Sequence, residues 1–291
     1  MHHEVFYKFK CWQGEVQPGF TPNFLGVVTR EHFFTSWMEY HPDKRFVTTA
    51  YPEVNEEYFE WIDLLEAVTQ AHEKFTMIEL GAGWGRWLVN AAVALRAYSG
   101  IPCQLIGVEA EPTHFQWMKT HFQDNRLDID NHQLIQAAVA DQDGKGWFLM
   151  GRPDRCYGQY LLSKPSRLQW FRSLISNLKD AKDSFRIKRV KTVSLSTLLR
   201  PLDRVDLVDL DIQGAELLVL DAASNQLTQK VKKVHVETHN PNVEVGVRQL
   251  FQGLGWEKLN DYSGGNRESP TPWGIIKFQG GCQTWINPRL S

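Results

Sequence analysis

The sequence predicts an α/β protein built on a doubly wound, mainly parallel sheet. Three observations carry that expectation. Between residues 75 and 260, short apolar runs alternate with stretches of helical periodicity. A glycine-rich loop, "LGAGWGR", follows the first of those runs. The second, fourth and fifth runs end in acidic or imidazole side chains, where a parallel sheet would present them to a ligand.

Residues 1–54 have no clean periodicity and are rich in aromatics and proline ("GFTPNFLG", "HFFTSWMEYHP"), so they read as an irregular cap, with residues 55–291 as the main domain. Leaving so many large apolar side chains in water would be costly, and core packing is preferred to a lid over a ligand. In residues 55–72, Tyr58, Trp61, Ile62, Leu65 and Val68 share one helical face, with Asn55 as the expected N-cap. "FTMIEL" (75–80) is a strand and "RWLVNAAVALRAY" (86–98) a helix. "CQLIGVE" (103–109) is a strand and "PTHFQWMKTHF" (112–122) a helix. Residues 132–140 form a third strand, with an extra one at 146–150 and a helix at 166–178. Residues 205–212 and 230–237 give the fourth and fifth strands, each followed by a helix, at 214–223 and 244–255. "WEKLN" and "PWGIIKFQ" close the chain as strands. The basic stretch "RIKRVK" (186–191) alternates charged and apolar residues, as the solvated face of an edge strand does.

Composition sets limits on function. A chain of 291 residues with a formal net charge of -2 has no global pull toward nucleic acid or anionic lipid. No apolar run approaches the roughly 20 residues a membrane span needs, and the N-terminus lacks the pattern of a signal peptide. Cys11, Cys103, Cys156 and Cys282 are far apart, which suggests neither a zinc site nor a disulfide framework and favours the cytoplasm.

The glycine loop asks for a ligand. Glycine lets backbone approach a small molecule closely, and the helix N-terminus behind it offers free N–H groups. A dinucleotide fingerprint needs G-x-G-x-x-G, but Gly81, Gly83 and Gly85 give G-x-G-x-G, and Arg86 holds the third glycine's place. Glu79 beside the loop would repel a pyrophosphate and suit a cationic ligand such as S-adenosylmethionine. Glu109, thirty residues on, can accept hydrogen bonds from both ribose hydroxyls. The plain alternative makes both acids solvated strand ends and the glycines a turn.

In these segments the chain resembles the class I S-adenosylmethionine-dependent methyltransferases, and more specifically the FkbM family. "IELGAGWGRW" resembles their first motif, and "VEAEPTHF" the segment after the second strand. "AAVADQDGKGWF", "VSLSTLL", "VDLVDLDIQGAELLVLDAA" and "VHVETH" resemble FkbM segments further along. The resemblance covers about residues 75–260. It implies a Rossmann-like seven-stranded sheet and S-adenosylmethionine as cofactor. Gly81, Ala82 and Gly83 would wrap the methionine part, with Glu79 near its ammonium group. Glu109 would hold the ribose, Ala138 and Val139 would lie along the adenine, and Asp209 would join the cofactor-binding set. It also implies O-methylation of a hydroxyl on a small molecule, sugar or natural product. The chain departs from the family at Asp209, where many relatives carry Lys, and at Gln213, where an acid often precedes Gly-Ala. These departures leave a catalytically silent binding domain as an alternative; the NAD-dependent oxidoreductase is weakened by Arg86.

A hydroxyl acceptor must lose its proton, and the candidates for taking it are Asp211, Glu237 and His239 at the fourth and fifth strand ends. The same three could hold a hard divalent cation such as Mg²⁺ or Ca²⁺. A lone imidazole asks less of the geometry, so the preferred reading makes His239 the base, oriented by Asp211 and Glu237. His239 could equally be a turn residue before Asn240-Pro241, and Asp211 a helix cap. Glu216 reads as structural, while Tyr51, Asn55 and Tyr58 could close over the cofactor.

Overall fold

The computed structural model describes residues 2–34, 41–151, 153, 159–162 and 185–290. Among these, seven strands form the central sheet: β1 (Phe75–Leu80), β2 (Cys103–Glu109), β3 (Gln133–Gln136), β4 (Val205–Leu210), β5 (Val231–Thr238), β6 (Glu257–Tyr262) and β7 (Gly281–Ile286). Their order is β3-β2-β1-β4-β5-β7-β6. The five on the β3 side pair in parallel, and β7 runs antiparallel to both neighbours. This is the expected Rossmann-like, doubly wound, mainly parallel sheet. The strand order reverses between β1 and β4, which puts a ligand crevice at their carboxyl ends.

Burial explains why these runs read so clearly. Every residue of β1 and of β4 is buried, because helices cover both faces of a parallel sheet. One face packs Met77 and Leu207 against α1 (Tyr58–Thr69) and α2 (Arg86–Tyr98). The other packs Ile78 and Val208 against α5 (Glu216–Ala222) and α7 (Pro241–Gly253), with the short α4 (Leu195–Leu199) and α6 (Ser224–Lys230) beside them. Helix α3 (Pro112–Asp124) sends Met118 and Phe122 into the first core. No helix among the described residues is long and apolar enough to cross a membrane.

Several elements differ from expectation. The run 132–140 breaks at Ala137. β2 ends at Glu109 opposite Gln136, so beyond that point β3 has no ladder partner. Ala138–Ala140 instead pairs in parallel with Arg186–Ser194, in a second sheet shared with Gly144–Met150 and Tyr160–Leu162. Among the described residues, Arg186–Lys191 pairs with Gly144–Met150 and has no ladder partner on its other side. Gly274–Phe278 belongs to a hairpin with Arg267–Thr271 outside the central sheet, and the closing strand is Gly281–Ile286. The helix expected at 166–178 lies outside the described residues. Asn55 does not cap α1: its Oδ1 accepts from Glu57 N, forming a turn before the helix begins at Tyr58.

In the N-terminal segment, Val5, Phe6, Phe9, Phe24 and Val27 belong to the same core as α1 and α2. Phe6 stacks on Tyr58 with centroids 5.1 Å apart, and Phe24 meets Trp61 edge-on at 5.0 Å. Tyr58 Oη accepts from His3 N, and the Tyr51 hydroxyl donates to the Phe9 carbonyl. Tyr51 and Tyr58 thus fasten the N-terminal segment and, like Asn55, do not line the clefts that flank the glycine loop.

Candidate active site

The glycine loop connects β1 to α2 at the reversal point. Gly81 has φ +84°, and a Cβ there would collide with the Asp211 carbonyl oxygen. That approach is fixed by Asp211 N, which donates to the Leu80 carbonyl at 3.0 Å. Gly83 has φ +53°, and a Cβ there would meet nothing within 4 Å. Gly81 is therefore small to let the next strand end pass, whereas Gly83 is small beside open space.

Two clefts share this loop. The first is lined by Gly81, Gly83, Glu109, Ala138, Val139, Phe148 and Asp211. Glu109 is 8% exposed. Its carboxylate accepts from Gly83 N at 2.8 Å and Glu111 N at 2.7 Å, which leaves lone pairs for a ligand. Burial raises its pKa, and His114 and the two N–H donors only partly offset that.

The second cleft lies on the α1 side and is lined by seven carboxylates: Glu56, Glu57, Glu60, Glu79, Asp209, Asp211 and Glu237. Its arginine, Arg86, is spent on Glu57 through two bonds of 2.6 and 2.7 Å. Glu79 accepts from Leu88 N at 3.1 Å and so anchors the start of α2. Burial and the neighbouring Asp209 push its carboxyl well above the ordinary range. Ala82 lines this cleft beside Glu79.

His239, one residue past β5, lines neither cleft itself but lies behind Asp211 and Gln213, which line both. Its Nδ1 is 2.8 Å from Glu216 Oε1, and Glu216 is fully buried and also accepts from Gly214 N. Its Nε2 lies 3.3 Å from Asp211 Oδ1, 3.9 Å from Glu237 Oε1 and 2.6 Å from the Gln213 side-chain amide. Burial lowers the imidazole pKa, but the bond to Glu216 and the charges of Asp211, Glu216 and Glu237 outweigh it and raise the value to about 9. Burial, then Asp211, takes Glu237 up to about 8.

The structure therefore brings Asp211, Glu237 and His239 together, with Glu109 and the glycines on one side and Glu79 and Asp209 on the other. Asp211 is not the cap of α5, which has no side-chain cap bond. Glu216, read as structural, is fully buried and bonds both His239 and Gly214 N. Glu60, Asp63 and His235 escaped the sequence reading. Their signal was there: two acids three apart on an apolar helix, and Lys233, His235 and Glu237 alternating along β5.

Comparison with known proteins gives the family. A protein of Jannaschia sp. (strain CCS1) named as a methyltransferase is 24% identical over 250 residues, 86% of each chain. Among solved structures, methyltransferase FkbM from Methylobacillus flagellatus KT is 9% identical with a TM-score of 0.46, over 75% of this chain and 45% of its own. Precorrin-6Y C5,15-methyltransferase from Geobacter metallireducens GS-15 is 10% identical with a TM-score of 0.42, over 82% and 93%. Residues 79–260 match the methyltransferase FkbM domain. That span is more than half of the chain and runs from Glu79 beyond His239, so the protein belongs to the FkbM methyltransferase family.

Proposed function

We propose that the protein transfers the methyl group of S-adenosylmethionine to a hydroxyl of a small molecule or glycan, with His239 as the base. The observation that carries this reading is the Glu216–His239 pair behind Asp211, a residue that lines both clefts. A buried carboxylate 2.8 Å from Nδ1 favours a proton there and leaves Nε2 beside the cleft-lining Asp211 and Gln213, an arrangement like the acid–histidine pairs that activate hydroxyls. Glu109 and Gly83 are suited to the ribose side, Ala138 and Val139 to the adenine, and the acidic second cleft to the sulfonium and ammonium groups.

In the transfer, the acceptor oxygen attacks the methyl carbon in line with the carbon–sulfur bond. That bond's electron pair stays on sulfur, and the hydroxyl proton passes to His239 Nε2. Thermal-shift binding should show stabilisation by S-adenosylmethionine and none by NAD. A methyl-transfer assay on a hydroxylated library should then find an acceptor, with His239→Ala cutting turnover by about 10²-fold or more at unchanged cofactor affinity. Preference for NAD, or full turnover in His239→Ala, would overturn the reading.

A further inference from the structure

A row of polar side chains crosses the sheet beneath α1. The register aligns Glu79 of β1 with Asp209 of β4, Asp209 with His235 of β5, and His235 with Thr284 of β7. Above this row α1 carries Glu60 and Asp63. We infer that Glu60, Asp209 and His235 form a binding site for a divalent transition-metal ion of the Mn²⁺ or Zn²⁺ kind.

One ligand atom from each of these residues lies within 4.8 Å of the others. Donors about 2.1 Å from one ion stand roughly 3–3.4 Å apart, so small side-chain rotations close the set. The histidine is held as a metal-binding histidine is held. Its Nδ1 is 2.8 Å from Asp63 Oδ2, and Asp63 also accepts from Thr284 Oγ1 and Lys233 Nζ. With those donors around it, Asp63 stays ionised and its pKa is lowered against the effect of burial. With Nδ1 taken up by Asp63, Nε2 is the ring nitrogen left for a ligand: among the described residues no hydrogen bond to it is formed, and His235 lines the second cleft. A carboxylate behind an imidazole is the usual support of a metal ligand.

Asp209 supplies a second, independent sign. It is 5% exposed, and among the described residues no side chain donates to it; only the adjacent Leu210 N–H is close. A buried carboxylate without donors calls for a cation or a proton. Burial and the charges of Asp209 and Glu237 push Glu60 well above its ordinary range, the response of acids crowded without a counter-ion. The donor set decides the metal class: an imidazole with carboxylates suits Mn²⁺ or Zn²⁺ better than Mg²⁺ or Ca²⁺, which prefer oxygen alone.

The test needs no methyl acceptor and no cofactor, so it is separate from the proposed reaction. EDTA-treated protein in metal-free buffer is titrated calorimetrically with MnCl₂, ZnCl₂ and MgCl₂. We expect one equivalent of Mn²⁺ or Zn²⁺ to bind at least about tenfold more tightly than Mg²⁺. Asp209→Asn and Glu60→Gln should each weaken binding about 10–100-fold, while Asp211→Asn/Glu237→Gln should leave it intact. Electron spin-echo spectra of the Mn²⁺ form should show an imidazole nitrogen, a readout that requires no variant to fold. The inference is overturned by no saturable binding below about 1 mM, by spectra without a nitrogen ligand, or by binding lost only in the Asp211/Glu237 variant.

Discussion

A methyl group at position 81 would have to displace the Asp211 carbonyl, whereas at position 83 it would project into open space. The two glycines should therefore fail differently. Gly81→Ala combines left-handed strain with a backbone collision and should cost more than about 2 kcal/mol, read as a lowered melting temperature. Gly83→Val pays only the strain, about 1–2 kcal/mol, yet should abolish S-adenosylmethionine binding; normal affinity in the folded variant would refute the assignment. His239 gives a second contrast. With a folded pKa of about 9 it is protonated at neutral pH, so turnover by a His239 base should climb until about pH 9. Stability should move the other way. A value raised above the ordinary 6.5 contributes stability that is complete below pH 6.5 and is lost as pH rises through 9. A pH–rate profile flat above pH 7 in a folded enzyme would exclude His239 as the base.

At the level of elements, α1 is tied to the sheet by charge as well as by apolar contact. Lys233 of β5 is 1% exposed and bonds Asp63 at 3.3 Å and Glu66 at 2.6 Å, while Thr284 of β7 reaches Asp63 from below. Asp63→Ala would leave a buried ammonium half paired and should cost about 3–5 kcal/mol in denaturant titrations; a loss under 1 kcal/mol would show that the pair is dispensable. The same elements show what the sequence makes legible. Tyr58, Trp61, Ile62, Leu65 and Val68 face the core as their spacing said; β1, β2 and β4 stand out as largely apolar runs because both faces are buried, while β5 alternates apolar and polar residues. β7 does not stand out, since Gln283 and Thr284 are fully buried yet polar and depend on partners far away in sequence. The break at Ala137 depends on where β2 stops, which no property of residues 132–140 records. In the site, the glycine loop, Glu109 and the Asp211–Glu237–His239 group were readable because each follows a strand directly. The Glu216–His239 and His235–Asp63 contacts were not, because their members come from different elements: the alternation along β5 marks His235 but does not name its partner.

Across the whole molecule the net charge is only -2, yet seven carboxylates line one cleft with Arg86 already paired. That asymmetry should govern ligand charge. S-adenosylmethionine carries a net positive charge near pH 7 and its demethylated product carries none, so the cleft should distinguish them electrostatically. The distinction depends on ionisation. Burial raises Asp209 to about 7, with His235 pulling it down and Asp211 and Asp63 pushing it up. As pH rises from 6 to 7.5, Asp209 gains its negative charge and the attraction for the sulfonium ligand grows. Calorimetry with EDTA present should show S-adenosylmethionine binding roughly threefold or more tighter over that interval, while the product changes little. Asp209→Asn removes the titrating group without changing its size, so its affinity for S-adenosylmethionine should be nearly constant across the same range. If the affinities of cofactor and product rose in parallel, or if Asp209→Asn kept the full pH dependence, the acidic cleft would not be what reads the cofactor's charge.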